Sequence, residues 1–254
     1  MSSRAEADST PLELLAILQR SGSGSEAFLA LASDGRKYWV KAPNSPQGAR
    51  TLVAESIAYG VGRLIGVAAP VNAVIHIPAG LDWSFTNGVR LQGCVAHASL
   101  EVTDVVVSDE WSTYSHLDNN RQRQASILAL WDLCMGGDAH WLHELSADYS
   151  IWTFDHGFWL AGESDWSVPA LQRVGTDAWQ QDLDPGVVSA RALLATLKSV
   201  RRISLADLLG VMQMVPLEWG TTTEELTQVA ELLYARIPGV TQRLAVAAHH
   251  SRYE

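Results

Sequence analysis

The chain has 254 residues, of which 47% are hydrophobic, and its formal net charge is −10. This length suits one large domain or two lobes sharing a cleft, with enough core to fold without a disulfide or a metal. Such a negative surface repels phosphate backbones, which disfavours nucleic-acid partners. No run reaches the roughly 18 apolar residues of a membrane span. The start, MSSRAEADST, has no apolar signal segment, and only two cysteines occur. We therefore expect a cytoplasmic protein without membrane contact.

The first hundred residues predict short strands around one helix. Apolar runs bounded by turn residues indicate strands over 27–33, 34–42, 67–78 and 89–97. Apolar residues at helical spacing predict a helix over 49–65, closed by Gly66. Residues 10–19 (TPLELLAILQ), with Thr10 at the N-cap and Pro11 after it, predict a short helix or an amphipathic lead-in.

The rest of the chain predicts mostly helices. Residues 98–118 are acidic and irregular, whereas a buried helix is expected over 121–135, and SIWTF at 150–154 is typical of a strand. Later helices are expected over residues 188–199, 203–214 and 222–247, the last one broken near Pro238. Strands followed by helices in this way predict an α+β fold, with a small sheet lobe beside a helical lobe.

Three features of the N-terminal half suit a nucleotide. The turn SGSGSE at 21–26 exposes N–H groups with little side-chain bulk, so it can approach a phosphate closely. Lys41 ends a predicted strand, and Glu55 follows in the predicted helix. A strand lysine paired with a helix glutamate is how kinases hold a lysine against nucleotide phosphates. Each feature alone also fits an ordinary hairpin turn, lysine or glutamate, and it is their order that predicts a nucleotide site.

A second group of ionisable residues lies in GGDAHWLHELSADYSIWTFDHG, residues 136–157. Asp138 follows a helix and two glycines, and Asp155 follows the strand-like run. Kinase chemistry needs one carboxylate to orient the attacking hydroxyl and another to hold Mg²⁺ against the phosphates. The same aspartates could instead ligate zinc, manganese or iron together with His140, His143 and His156. These histidines also fit purely structural roles.

Several motifs resemble those of the HipA-like kinases, in particular the short stand-alone HipA-related group. The N-terminal motifs are YWVKAP, QGARTLVAE and RLIGVAAPVNAVI, all within residues 38–75. The C-terminal motifs are LALWDLCMGGDAHWLHE, IWTFDHGFWL and VPLEWG, within residues 128–220. The resemblance covers about residues 12–240, and the combination of V-K, V-A-E and D-H-G is what makes it specific.

The resemblance implies a two-lobed protein-kinase-like fold, with an N-lobe over residues 1–95 and a helical C-lobe over 96–254. It implies that Lys41 contacts the α- and β-phosphates of ATP and pairs with Glu55. Asp138 would be the catalytic aspartate, and Asp155 the Mg²⁺ ligand. The implied nucleotide contacts are a phosphate-covering turn and a hinge facing the adenine. The turn is formed by Ser21, Gly22, Ser23, Gly24 and Ser25, and the hinge by Gly93, Cys94, Val95 and Ala96.

One position departs from the family. The second metal ligand there is an asparagine five residues after the catalytic aspartate, and here that position is His143. A neutral imidazole binds divalent ions but prefers softer metals than Mg²⁺. The sequence therefore predicts an ATP-dependent phosphotransferase using Mg²⁺ or Mn²⁺, acting on a hydroxyl of an unidentified protein Ser/Thr or small molecule. The alternatives are a pseudokinase that binds a nucleotide or a partner without turnover and, third, a metallohydrolase.

Overall fold

A computed structural model describes residues 11–161, 164–179 and 183–253. The chain forms an α+β fold that divides into two compact units. The first unit contains the chain up to Pro46 together with Asn72–Glu101, and the second contains Gln47–Val71 and the chain from Val102 onwards. This division differs from the expected boundary at residue 95, because the helix over 49–65 belongs to the second unit. No helix of the described ranges is long and apolar enough to span a membrane.

Five strands close the first unit into a barrel, in the order β1-β2-β3-β5-β4. They are β1 (Leu12–Arg20), β2 (Phe28–Ala32), β3 (Lys37–Lys41), β4 (Asn72–Ile77) and β5 (Cys94–Leu100). Parallel pairing of β1 with β4 completes the ring, whereas the other neighbours are antiparallel. Alternate side chains point inward, and the buried core includes Phe28, Ala30, Val40, Ile75 and Ala96. The strands predicted from apolar runs are therefore confirmed.

The predicted helix over residues 10–19 is wrong, because this segment forms strand β1. A helix would group Leu12, Leu15 and Leu18 on one face, yet Leu15 and Leu18 are 58% and 48% exposed. Instead, Leu14 enters the barrel core, and two register irregularities adapt β1 to β2. Pairing with the neighbouring strands therefore determines the conformation of this segment, although its first residues resemble the start of a helix. Thr10, the expected N-cap, lies outside the described residues.

A buried carboxylate fixes the Gly/Ser turn between β1 and β2. Glu26 is 7% exposed and accepts hydrogen bonds from the Thr86 backbone N–H at 2.8 Å, from the Thr86 hydroxyl, and from Arg20 at 2.8 Å. Arg20 also donates to the Ser84 carbonyl and lies over the Trp83 ring. The turn is therefore anchored at its end to the segment around residue 86, within the same unit.

The second unit contains six helices and one antiparallel sheet among its described residues. The helices are α1 (Ala49–Ile65), α2 (Asn120–Leu133), α3 (Val168–Val174), α4 (Ala190–Arg202), α5 (Leu205–Met212) and α6 (Thr223–His250). The sheet has the order β6-β7-β8, with β6 (Val105–Ser108), β7 (Trp141–Glu144) and β8 (Ser150–Thr153). The predictions of α1, α2, α4, α5 and β8 are confirmed, and Gly66 ends α1 in the left-handed conformation as expected.

Two further expectations about this unit are wrong. Residues 98–118 were expected to be irregular, but they include the end of β5 and all of β6, which pairs with the unpredicted strand β7. The last helix was expected to break at Pro238, but α6 continues through it. A proline removes one intrahelical hydrogen bond, and burial of Leu233, Val240 and Leu244 holds the helix on both sides of it.

A buried ion cluster ties α6 to α2. Asp132 accepts hydrogen bonds from Arg236 at 3.2 Å and from Arg243 at 2.6 and 3.0 Å, and Arg236 is 1% exposed. Arg236 also donates to the carbonyls of Asp132 and Gly175. Because Asp132 and Arg236 are both removed from water, each depends on its partner for compensation, whereas the Arg243 side chain is 27% exposed.

We predict that Asp132→Ala destabilises the fold by about 3–5 kcal/mol, because it leaves the Arg236 charge buried without its partner carboxylate. Urea unfolding followed by tryptophan fluorescence measures the change in the free energy of unfolding. The matched control is Asp82→Ala, which removes a carboxylate that is 99% exposed beside Arg90, and it should change stability little. Equal effects of the two substitutions would contradict the prediction.

A second prediction concerns acid stability. The Thr86 hydroxyl is the largest influence that lowers the pKa of Glu26; burial opposes it, and the Thr86 N–H and Arg20 add to the lowering. A carboxyl group with a lowered pKa stabilises the fold above its ordinary value of 4.5, and this stabilisation is lost as the pH falls through the lowered value. Glu26→Gln should therefore reduce the loss of stability between about pH 5 and pH 3.

Urea unfolding across this pH range tests the expectation, with Glu110→Gln as control because Glu110 is exposed on the surface. The free energy of unfolding of the wild type and of the control should fall in parallel on acidification. That of Glu26→Gln should be lower at about pH 5 and should fall less. Parallel curves for all three proteins would count against a special role of Glu26.

Candidate functional site

Asp138 and Asp155 lie near the adjoining ends of β7 and β8. The antiparallel pairing of Trp141 with Thr153 brings the chain before β7 beside the chain after β8. Both aspartates have left-handed backbones, with φ of 54° and 55°. This conformation is uncommon for a residue with a Cβ, and such strain is often found at functional sites. The turn that precedes Asp138 is tight, because a Cβ on Gly136 would collide with the Trp131 ring.

The imidazole of His140 lies between the two carboxylates. Its Nδ1 is 3.7 Å from Oδ1 of Asp138, and its Nε2 is 3.8 Å from Oδ2 of Asp155. The ring packs edge-on against Phe154, with the ring centroids 4.9 Å apart. Two carboxylates separated by 17 positions in the sequence are therefore gathered around one imidazole. Both remain accessible, because the Asp138 and Asp155 side chains are 58% and 27% exposed.

A buried glutamate of α1 holds the turn that follows Asp155. Glu55 is 3% exposed, and its Oε2 accepts the backbone N–H of His156 at 2.9 Å and lies 3.4 Å from Nδ1 of the same residue. On its other side, the His156 ring bonds to the Thr153 hydroxyl through Nε2 at 3.0 Å and packs edge-on against Trp159. The residue next to Asp155 is therefore fixed from two sides.

His143, the predicted second metal ligand, lies in the middle of β7. It is 1% exposed, its Nδ1 is 3.3 Å from the Tyr149 carbonyl, and its ring packs against Tyr114. Burial lowers the pKa of His143 below its ordinary value, although the Tyr149 carbonyl acts in the opposite direction. Its cross-strand partner is Ile151, four residues before Asp155. The imidazole that lies within 4 Å of both aspartates is therefore His140 and not His143.

The donor set near the aspartates suits a hard cation shared with a ligand. Mg²⁺ is usually bound by one or two carboxylates together with substrate phosphates and water, and Asp138 and Asp155 offer oxygen atoms of this kind. Within residues 11–161, 164–179 and 183–253, no three His, Cys, Asp or Glu side chains gather closely enough to hold a metal by themselves. The described residues thus fit a metal that arrives with phosphates better than a closed protein cage.

The first unit contains the predicted lysine and the predicted phosphate turn. Lys41 ends β3 opposite His97 and is 8% exposed. In the turn, the hydroxyl of Ser23 is 2.8 Å from that of Ser21 and 2.9 Å from that of Ser25. A Cβ on Gly22 would meet open space. The turn therefore combines a chain of hydroxyl groups with an uncrowded backbone, which suits the approach of an anion.

The predicted hinge lies at the start of β5. Cys94, Val95 and Ala96 form its first residues, and a Cβ on Gly93 would come within 2.9 Å of the Ala79 backbone. Burial raises the pKa of the Cys94 thiol to about 11, so this cysteine is not a thiolate nucleophile near neutral pH.

The sequence interpretation missed three roles, two at the aspartate site and one at the Gly/Ser turn. It did not place His140 between the aspartates, did not connect Glu55 with the His156 backbone, and did not assign Glu26 to the Gly/Ser turn. The D-A-H and D-H-G strings hinted at the first two, since each puts a histidine within two residues of an aspartate. No comparable signal linked Glu26 with Thr86, because 60 residues separate them.

No family model matches the chain, and no curated protein matches it. Among solved structures, the crystal structure of a Helicobacter pylori proinflammatory kinase, CtkA, matches with a TM-score of 0.58 and 12% sequence identity. The match covers 94% of this chain and 97% of that chain. At this identity the likeness shows the fold alone. The chain therefore has a mixed fold of strands and helices similar to that of a kinase.

Proposed function

We propose that the protein is an ATP-dependent phosphotransferase that transfers the γ-phosphate to a hydroxyl group of a protein Ser/Thr or of a small molecule. The observation that carries the proposal is the pair of accessible carboxylates, Asp138 and Asp155, on either side of His140. The turn after Asp155 is anchored by the buried Glu55. Phosphoryl transfer depends mainly on positioning and charge neutralisation, so a rigid pair of carboxylates is the chemistry that it requires.

In the proposed reaction, Asp138 accepts a hydrogen bond from the acceptor hydroxyl and takes its proton as the oxygen attacks the γ-phosphorus. A new O–P bond forms, the bond from the γ-phosphorus to the bridging β-oxygen breaks, and ADP leaves. Asp155 is proposed to hold the metal, which neutralises negative charge on the phosphates when bound. The left-handed backbone at Asp155 and the contact of Glu55 with the His156 N–H support this role, because they hold the backbone next to this carboxylate.

The proposal gives the first unit the role of nucleotide recognition. Lys41 is proposed to neutralise charge on the α- and β-phosphates, as the resemblance to HipA-like kinases implies. The Gly/Ser turn is proposed to bind phosphate oxygens through its N–H groups, and residues 93–96 to contact the adenine. The anchoring of the turn by Glu26 supports this role, because a preorganised loop loses less entropy when it binds.

One observation favours the second candidate, a protein that binds nucleotide without turnover. His143 occupies the position of the expected asparagine ligand, but its ring is buried against Tyr114 and beside the Tyr149 carbonyl. If no other group replaces this ligand, a metal held by Asp155 lacks one protein donor. A metallohydrolase is not proposed, because zinc hydrolase sites take three protein ligands and the described residues gather no such set.

We predict that Asp138→Asn lowers phosphotransfer by about 100-fold to 10,000-fold, because the amide cannot accept the proton of the attacking hydroxyl. ADP formation is measured with Mg²⁺ and, separately, with Mn²⁺, in the presence of generic protein acceptors. Thermal shift with ATP is measured in parallel, and a bound ligand should raise the melting temperature of both proteins.

The matched control is Asp148→Asn, because Asp148 also has a left-handed backbone, with φ of 50°, and asparagine tolerates this conformation. It should keep full turnover. Stabilisation by ATP with equal background turnover in wild type and Asp138→Asn would favour the nucleotide-binding candidate. If ATP neither stabilises the protein nor is turned over, both candidates are ruled out.

We further predict that Glu55→Gln lowers turnover by about tenfold or more and raises the metal concentration needed for half-maximal rate. The amide oxygen of glutamine still accepts one hydrogen bond, but the carboxyl group next to His156 is lost. Replacing a residue that orients a metal ligand typically lowers metal affinity or activity 10–100-fold. The control is Glu225→Gln, which breaks a partly buried ion pair between α6 and Arg50, a residue of the same helix as Glu55. If the control shows the same rise in metal requirement, a specific role for Glu55 is refuted.

A further inference from the structure

A groove of about 1170 Å³ lies in the second unit, outside the site described above. Its walls are the C-terminal end of α1, the first turns of α2 and one side of α4. Gln122 and Ser126 line it from α2, whereas Asp138 follows the opposite end of that helix. The helix from Ser126 to its last residue, Leu133, lies between the groove and the loop that contains Asp138, and it is about 10 Å long at a rise of about 1.5 Å per residue.

The groove is cationic although the chain is strongly acidic. Its charged lining residues are Arg191, Lys198 and Arg202, and no aspartate or glutamate lines it among the residues that the structure describes. All three belong to α4, whose sequence ARALLATLKSVRR contains no acidic residue. In a chain with a formal net charge of −10, this local segregation of charge creates a site of opposite sign to the surrounding surface.

The three cations form one stripe along α4. With 3.6 residues per turn, positions seven and eleven residues after Arg191 return to nearly the same side of the helix. The stripe is about 16 Å long, which is too long for one phosphate or carboxylate and matches about five residues of an extended peptide. Leu194 interrupts the stripe and is 48% exposed, so the groove offers apolar contact between its charges.

Helix stability does not account for the first of these cations. Arg201 and Arg202 lie in the last turn of α4, where positive charge is favourable for the helix dipole. Arg191 instead follows the N-cap residue Ser189 by two positions, in the first turn, where positive charge is unfavourable. Binding of an anionic ligand in the groove would account for a cation at position 191.

We infer that this groove binds an extended acidic segment of a partner protein, with carboxylates spaced along the stripe and an apolar side chain against Leu194. A nucleic acid fits less well, because the net charge of −10 repels a long polyanion and the described lining residues include no aromatic ring on which a base could stack. The inference is independent of phosphotransfer, since it requires neither ATP nor the two aspartates.

The test uses the full chain and a fluorescein-labelled peptide, Glu-Leu-Glu-Leu-Glu-Leu, titrated by fluorescence anisotropy. Saturable binding is expected below about 1 mM peptide, and it should weaken as salt is raised, because the partners are charged and exposed. The neutral peptide Gln-Leu-Gln-Leu-Gln-Leu should not bind. The same measurement on Asp138→Asn should give the wild-type affinity, which separates this inference from the proposed function.

Three charge-reversal variants make the test specific. Arg191→Glu should weaken peptide binding about tenfold while keeping or raising the melting temperature, because an acidic residue in the first turn suits the helix. Arg201→Glu changes the net charge equally, but Arg201 does not line the groove, so it should retain binding. Lys198→Glu is a second variant within the groove and should behave like Arg191→Glu.

Three results would overturn the inference. The first is the absence of saturable peptide binding, and the second is equal weakening by Arg191→Glu and Arg201→Glu, which indicates unspecific attraction. The third is a different occupant. Arg191-dependent binding of a labelled oligothymidylate without peptide binding identifies a nucleic-acid site, and Arg191-dependent self-association in sedimentation identifies a second copy of the chain.

Discussion

The second unit depends on a carboxyl group buried in the middle of a helix. Glu55 lies on α1 among apolar neighbours and is 3% exposed, so its carboxylate must be satisfied by the protein. One partner is the backbone N–H of His156, 101 residues further along the chain. This contact joins α1 to the turn that contains Asp155. A polar group that would be costly to bury without partners thus becomes the anchor of the candidate site.

The same turn shows how the sheet supports the site. Thr153, the last residue of β8, bonds to the His156 ring, and Trp159 packs edge-on with that ring. The backbone between them is held while Asp155 keeps a left-handed conformation.

Much of the secondary structure followed from the sequence, and its failures have physical causes. The helix α1 was predicted correctly, since its apolar residues repeat with helical spacing over the whole of Ala49–Ile65. The strand β1 was not, because Thr10 and Pro11 imitate a helix start and only the pairing with β2 and β4 decides its conformation. The helix α6 passes through Pro238 because packing on either side outweighs one lost hydrogen bond.

The sequence by itself determined the α+β class, the acidic net charge and the ionisable residues available for chemistry. Only the tertiary structure decided which histidine meets the aspartates. In β7, Trp141 and His143 lie on the same face, and His143 is directed into the protein beside Tyr114. His140 lies before the strand and turns toward Asp138 and Asp155. Side chains alternate between the two faces along a strand, so a register shift of one residue moves each of them to the opposite face. The register of β7 arises from its pairing with β6 and β8. No local sequence pattern encodes that pairing.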